Sequence, residues 1–400
     1  MYFELSPKRN KDFPNSYNIK NLTLSTDLGW NEITGNYGKI IYKGYAYEDL
    51  ENLLKLFEPS TSNIPRGSFT AFIEKGNQIH LVTDDTREFP IFFDEEKKIV
   101  TNLTQQKNVI YPDNFLTVNC ASNAISHRYN GPIFKKKTDK DLNDVTKQIF
   151  QMLNNDIKNF TSLYQHPIKI IPTGGIDSTL MIALLKYNNI DFEVIDYEYK
   201  KWSYFHFKNK DKINVDIGNQ EYTSIGHTWG VEPVTMATGF RGDQFFFREY
   251  LPIAILSKIE GINLNNEFKK YGQSYSYNHM MKQSVAHREE LERLCRNVQD
   301  RETAYKQVFA VVQSTFHNWS IENTCYWSVF KNINIVKEIL QMSFTNLITN
   351  CMEATVQKKI LTMIDPNLLD VIINKKDFSN HNFDFDKDRY DKLIKTLTNY

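Results

Sequence analysis

The chain has 400 residues, and its 48 Lys plus Arg balance 48 Asp plus Glu, so the formal net charge is zero. At roughly 150 residues per domain, this length predicts two or three domains. The charge balance argues against a histone-like or duplex-coating protein, because neutralising a phosphate backbone needs an excess of cations. With 41 % hydrophobic and 24 % charged residues, the composition also argues against wholesale disorder.

Cys120, Cys295, Cys325 and Cys351 form no C-x-x-C pair and read as reduced, mostly buried thiols. The first residues lack the charged-then-apolar pattern of a secretory signal. No apolar run approaches the ~20 residues of a membrane span. The expectation is a soluble, cytoplasmic protein with no membrane contact, and nucleic acid is not an expected partner.

The first 130 or so residues read mostly as strands. A helix is predicted from Tyr47 to Phe57, with Leu50, Leu53, Leu54 and Phe57 on one face. Ser68 to Glu74 is a β-rich run, Gly76-Asn77 a turn, and Gln78 to Thr83 an alternating strand. Phe89 to Phe93 and Ile99 to Asn102 form a further pair across the charged turn Asp94 to Lys98. The polar stretch from Lys135 to Lys140 reads as a solvated linker. Asp141 then caps an amphipathic helix carrying Leu142, Val145, Ile149, Met152, Leu153, Ile157 and Phe160.

A short strand, Ile168 to Ile171, leads through a glycine-containing loop to a helix starting near Ser178, and Phe192 to Tyr197 is a second strand. Strand, helix, strand is a βαβ unit, which predicts a parallel sheet. The helix Leu180 to Leu185 is apolar nearly all round, as for a helix buried on that sheet. From about residue 252 the chain turns helical, with Leu291, Leu294, Cys295 and Val298 on one stripe.

The loop of the βαβ unit is Thr173-Gly174-Gly175-Ile176-Asp177-Ser178. Two glycines let backbone approach a ligand, the following helix N-terminus presents N–H groups to an anion, and Thr173 and Ser178 add hydroxyls. Asp177 would repel phosphate unless a divalent cation lies between them, so the set suggests a Mg²⁺–polyphosphate site. The lysine of a Walker loop is absent. A plain strand-to-helix turn with a capping side chain is the alternative reading.

This loop resembles the S-G-G-x-D-S signature of the PP-loop ATP pyrophosphatases, with Thr173 for the first serine. Thr238-Gly239-Phe240-Arg241-Gly242-Asp243-Gln244-Phe245-Phe246 resembles the S-G-x-G-x-D-E-x-F loop of the asparagine-synthetase-like branch. The resemblance implies ATP and Mg²⁺ as cofactors. It places Thr173, Gly174, Gly175, Asp177, Ser178, Thr238 and Gly239 on the nucleotide, and Asp177 and Asp243 on the metal.

Ser320 to Trp327 sits where that family has an E-x-R-x-P-F-L-D helix, and it retains Glu322. Asn374 to Ser379 is similar to the late lysine loop, which makes Lys375 the cation for charge growing on the α-phosphate. Lys375 and Glu322 are therefore the candidate catalytic residues. Phe240 can neither ionise nor donate a hydrogen bond, which argues against asparagine synthesis and against a Tyr–Glu proton relay of the β-lactam-forming kind.

Gly67 to Phe72 and Asp84 through Phe93 resemble strands of class II glutamine amidotransferases, but Tyr2 stands where the nucleophilic cysteine would be and Arg87 at a motif glycine. A phenol with a pKa near 10 does not replace a thiolate. The resemblance thus implies a degenerate, Ntn-hydrolase-like α+β domain over 1–137 with an antiparallel sheet. An α/β parallel-sheet PP-loop ligase domain with a helical C-terminal part follows over 138–400. The implied reaction adenylates a small-molecule or peptide carboxylate, releases pyrophosphate and passes the acyl group to an amine or ammonia. A nucleotide-binding scaffold without turnover is the alternative, and a homodimer is compatible with either.

Two more features carry less. Asp384, Asp386 and Asp388 imitate an EF-hand start, but Arg389 and Lys395 replace its glycine and bidentate glutamate. Trp202 to Phe207 reads equally as pocket lining or core strand.

Overall fold

The computed structural model describes residues 3–26, 30–58, 64–84, 91–94, 96–102, 109–111, 115–128, 138–165, 167–170, 175–194, 235–237, 239, 242–248, 253, 256–257, 260–270 and 326–372. The chain combines antiparallel sheets, a parallel sheet and helices.

The first strands in chain order are β1 (Phe3–Ser6), β2 (Asn15–Ile19), β3 (Leu22–Thr26), β4 (Asn31–Thr34), β5 (Lys39–Ala46) and β6 (Gly67–Lys75). They are followed by β7 (Gln78–Thr83), β8 (Ile91–Asp94), β9 (Ile99–Thr101), β10 (Val109–Tyr111), β11 (Phe115–Asn119) and β12 (Ile125–Arg128). They form two six-stranded antiparallel sheets, ordered β10-β8-β9-β1-β3-β2 and β12-β11-β7-β6-β5-β4. The Gly76-Asn77 turn pairs Lys75 with Gln78 and so sets the register of the β6–β7 hairpin.

Period-two alternation explains the stacking. Phe72, Ile79 and Leu81 of one sheet pack against Phe3, Leu5, Leu24 and Val100 of the other. The alternate residues Phe69, Ala71, Ile73 and Val82 face Leu50, Leu54 and Phe57. These last belong to α1 (Leu50–Lys55) and the turn after it. The helix predicted from Tyr47 is therefore shorter. Asp49 caps it by accepting from Asn52 N, and Tyr47 is instead drawn into a different core.

Asp141 caps α2 (Leu142–Leu163) as expected, accepting from Asn143 N. Val145, Ile149, Leu153, Ile157 and Phe160 are its buried stripe, while Met152 is half-buried. Of the predicted linker, Thr138 and Asp139 are exposed, as a solvated stretch should be, and Lys140 at its end is tied down. Lys140 Nζ lies 2.6 Å from Glu338, and Lys140 N donates to Gln341 O.

Four short strands, β13 (Ile168–Ile170), β14 (Glu193–Val194), β15 (Thr235–Ala237) and β16 (Tyr326–Trp327), form a parallel sheet in the order β14-β13-β15-β16. The helix α3 (Ile176–Tyr187) connects β13 to β14. Leu180 to Leu185 on α3 are all buried, which bears out the reading of a helix enclosed on every side. Tyr326 and Trp327, at the end of the stretch compared with a helix, are instead strand residues paired with Met236 and Ala237.

The remaining described helices are α4 (Gly242–Phe245), α5 (Leu264–Lys269), α6 (Ile333–Ile339), α7 (Phe344–Glu353) and α8 (Thr355–Ile364), followed by a 3-10 turn over Pro366–Val371. One hydrophobic core joins α2, α3 and the C-terminal helices to Tyr45 and Tyr47 at the end of β5. Phe160 stacks on Trp327 with ring centroids 4.0 Å apart and meets Tyr45 edge-on at 5.1 Å.

Candidate functional site

β13 and β15 lie side by side and parallel, so the loops that follow them emerge at the same edge of the sheet. From β13 the chain crosses through α3 to β14 on one side, whereas β15 lies on the other side. The strand order therefore reverses between β13 and β15. In open parallel sheets, ligands bind in the crevice outside the strand C-termini at such a reversal.

The loop after β13 ends in Gly175, the N-cap of α3, so Asp177 and Ser178 lie in the first helical turn and the helix starts two residues before Ser178. Ser178 Oγ donates to Gly175 O at 3.1 Å, and Thr179 Oγ1 donates to the same carbonyl at 2.9 Å. The first N–H groups of a helix lack intrahelical acceptors, and their dipole favours the Asp177 carboxylate or an anionic ligand.

Gly239 and Gly242, which follow β15, pack on that turn. A Cβ added at Gly239 would overlap Ser178 N and lie 2.5 Å from Asp177 C. One added at Gly242 would overlap Asp177 Oδ1 and lie 2.5 Å from Asp177 Cγ. Gly239 and Gly242 are thus the residues that let the two loops touch. Gly242 starts α4, which places Asp243 in its first turn.

The two aspartates share one cation. Arg248 Nη1 lies 3.3 Å from Asp177 Oδ1 and 3.0 Å from Asp243 Oδ1. Gln357, on α8, donates through Nε2 to Asp177 Oδ1 and accepts from Arg248 Nη1 at 2.8 Å. The backbone after α4 turns sharply to aim Arg248 back. Phe247 has φ +58°, Phe247 N donates to Gln244 O, and Arg248 N donates to Asp243 O at 2.7 Å. This is a Schellman-type helix end, a place where glycine is usual. A non-glycine residue there costs about 1–2 kcal/mol. Burial of the Phe247 ring offsets that strain, and Asn350 Nδ2 pins the turn by donating to Phe246 O.

Gly175, Asp177, Ser178, Gly239 and Asp243 are thus brought together from positions more than 60 residues apart. Thr173, Gly174, Thr238, Phe240, Arg241, Glu322 and Lys375 lie outside the described residues, as do Tyr2, Arg87, Trp202 to Phe207, Leu291 to Val298 and the aspartates from Asp384 to Asp388. Sequence reasoning missed Arg248 and Gln357. Their signal was a charge ending the aromatic run Phe245-Phe246-Phe247, and an amide inside the apolar stripe of Val356, Ile360 and Leu361.

Two carboxylates converging on a cation have the hard-oxygen chemistry of Mg²⁺, which is typically held by one or two carboxylates together with substrate phosphates. Asp177 and Asp243 fit such an ion in kind, and each places its Oδ1 within 3.3 Å of Arg248 Nη1. No group of three or more His, Cys, Asp or Glu that could enclose a metal by protein alone occurs among the described residues.

No family model matches the chain, and no curated protein shows a significant match to it. Among the described residues no helix is long and apolar enough to cross a membrane.

Proposed function

We propose that this chain is an ATP-dependent, AMP-forming amide ligase of the asparagine-synthetase-like kind, without glutaminase activity. The observation that carries the reading is the meeting of Asp177 and Asp243, delivered by two glycine-containing loops to the strand-order reversal of a parallel sheet. On this reading the antiparallel sheets belong to a degenerate amidotransferase-like domain over 1–137, and residues 138–400 form the PP-loop domain.

The N–H groups at the start of α3, with Thr173, Gly174, Gly175 and Ser178, receive the polyphosphate oxygens. Thr238 and Gly239 border the AMP moiety. Asp177 and Asp243 would hold Mg²⁺, which would supply positive charge to screen the polyphosphate. Lys375 meets charge on the α-phosphate, and Glu322 is the second candidate catalytic residue. A substrate carboxylate attacks the α-phosphorus, pyrophosphate leaves, and an amine or ammonia displaces AMP from the acyl carbon. The protein's part is mostly positioning and electrostatics.

ATP–pyrophosphate exchange across pools of amino acids and other carboxylates tests this. Exchange that depends on a carboxylate, and that falls at least a hundredfold in Asp177→Ala, is the expected result. A second reading, a nucleotide-binding scaffold without turnover, draws on Arg248 standing between the two carboxylates. ATP binding by calorimetry with no exchange would favour it. Neither binding nor exchange would end both readings.

A further inference from the structure

The carboxylates assigned to the metal do not face an open gap. They close on Arg248, and Gln357 completes a ring of guanidinium, amide and carboxylate. The arginine side chain is only 12 % exposed, and the left-handed turn at Phe247 directs it inward. A surface arginine needs no such seat. A fixed guanidinium at this point cancels one of the two negative charges, and it repels any divalent ion brought within a few ångströms.

We infer that Arg248 is a resident cation that occupies the divalent-ion position of the nucleotide-free protein and swings out when Mg²⁺ and polyphosphate arrive together. This rests on the proposed assignment of Asp177 and Asp243 as metal ligands. The seat is one that can be left. Arg248 Nε is buried and donates to no acceptor among the described residues, so outward movement toward water or a phosphate oxygen provides the missing acceptor. Bare metal must displace the guanidinium without offering it a new anion, whereas a metal–polyphosphate complex supplies one. The site therefore takes metal poorly alone and well with polyphosphate.

The test is Mn²⁺ binding to the full chain by equilibrium dialysis, with and without inorganic triphosphate, counting the metal held with the protein in excess of the protein-free chamber at the same free Mn²⁺. Wild type is expected to bind Mn²⁺ weakly, and at least tenfold more tightly with triphosphate. Arg248→Met and Arg248→Gln, each checked for folding by circular dichroism, are expected to bind Mn²⁺ alone at least tenfold more tightly than wild type. Arg248→Lys, which keeps the charge, should stay near wild type, and adding Asp177→Asn should remove the gain.

Tight Mn²⁺ binding by wild type alone overturns the inference. So does a folded neutral variant that binds no more tightly than wild type, or a gain that survives Asp177→Asn. If neither neutral variant folds, the wild-type comparison with and without triphosphate decides alone, and no enhancement by triphosphate overturns the inference. Because no readout uses catalysis, tighter Mn²⁺ binding in a chain that shows no ATP–pyrophosphate exchange leaves this inference standing while the ligase reading fails.

Discussion

A methyl group at position 239 would press on the backbone of Asp177 and Ser178, which cannot yield as the end of a flexible side chain can. Gly239→Ala is therefore expected to cost about 1–3 kcal/mol in urea unfolding and, on the proposed nucleotide assignment, to abolish ATP binding by calorimetry. Unchanged stability with intact binding would mean that the two loops do not touch as described. His80 is a second residue whose surroundings decide its chemistry. It stacks on Phe115, and its Nδ1 lies 3.0 Å from Thr117 Oγ1. Burial, helped by the charge of Lys75 and opposed by that of Glu58, pushes its pKa down to about 4. The unfolded chain thus takes up the proton first, near pH 6.5. Stability present above that pH is lost as pH falls toward 4, on the order of 2 kcal/mol by pH 5. His80→Leu should show a correspondingly smaller drop between pH 7 and pH 5 in urea titrations, and an equal drop would assign the loss to other groups.

Elements with strong local signals follow the sequence closely. α2 starts where Asp141 predicts, because its side chain accepts from Asn143 N at 2.7 Å. Asp141→Ala should cost about 1 kcal/mol, read as a lower urea midpoint at unchanged slope. α3 was legible from its apolar run. Its start was not, because Gly175 caps through backbone geometry and makes no side-chain hydrogen bond. α1 was drawn too long for a tertiary reason. Tyr45 and Tyr47 are bound to Phe160 and its neighbours on α2, and the chain can turn helical only beyond them. Similarly, Tyr326-Trp327 carries no decisive local pattern, and the open edge of β15 makes it a strand.

Across the whole molecule, the antiparallel sheets meet the helices through an ion pair between half-buried Arg66 and buried Asp156. Arg66 donates to both Asp156 oxygens at 2.9 and 3.0 Å, Asn332 donates to the same carboxylate, and Arg66 lies over the Tyr47 ring. Burial raises the pKa of Asp156, while the charge and hydrogen bonds of Arg66 oppose the rise. Removing one partner of such a pair strands the other, at about 3–5 kcal/mol. Arg66→Met is expected to lose about that much at pH 7. It should regain part of it toward pH 5, where the stranded carboxyl is protonated more readily than in the unfolded chain. A deficit that does not change with pH would mean that packing, not the stranded charge, is what the substitution removes.

The amino-acid order alone determined the strand-rich first part, the capped amphipathic α2, the βαβ unit and the two loops that carry Asp177 and Asp243. Each of these depends on neighbours within a few residues, through periodicity, caps and glycine. Only the tertiary structure decided that the loops touch at Gly239 and Gly242, and that Arg248 and Gln357 join them. That arrangement depends on which strands become neighbours in the sheet and on where α8 packs against α3. Contacts between residues more than 100 positions apart, such as Arg248 with Gln357, leave no local period to read.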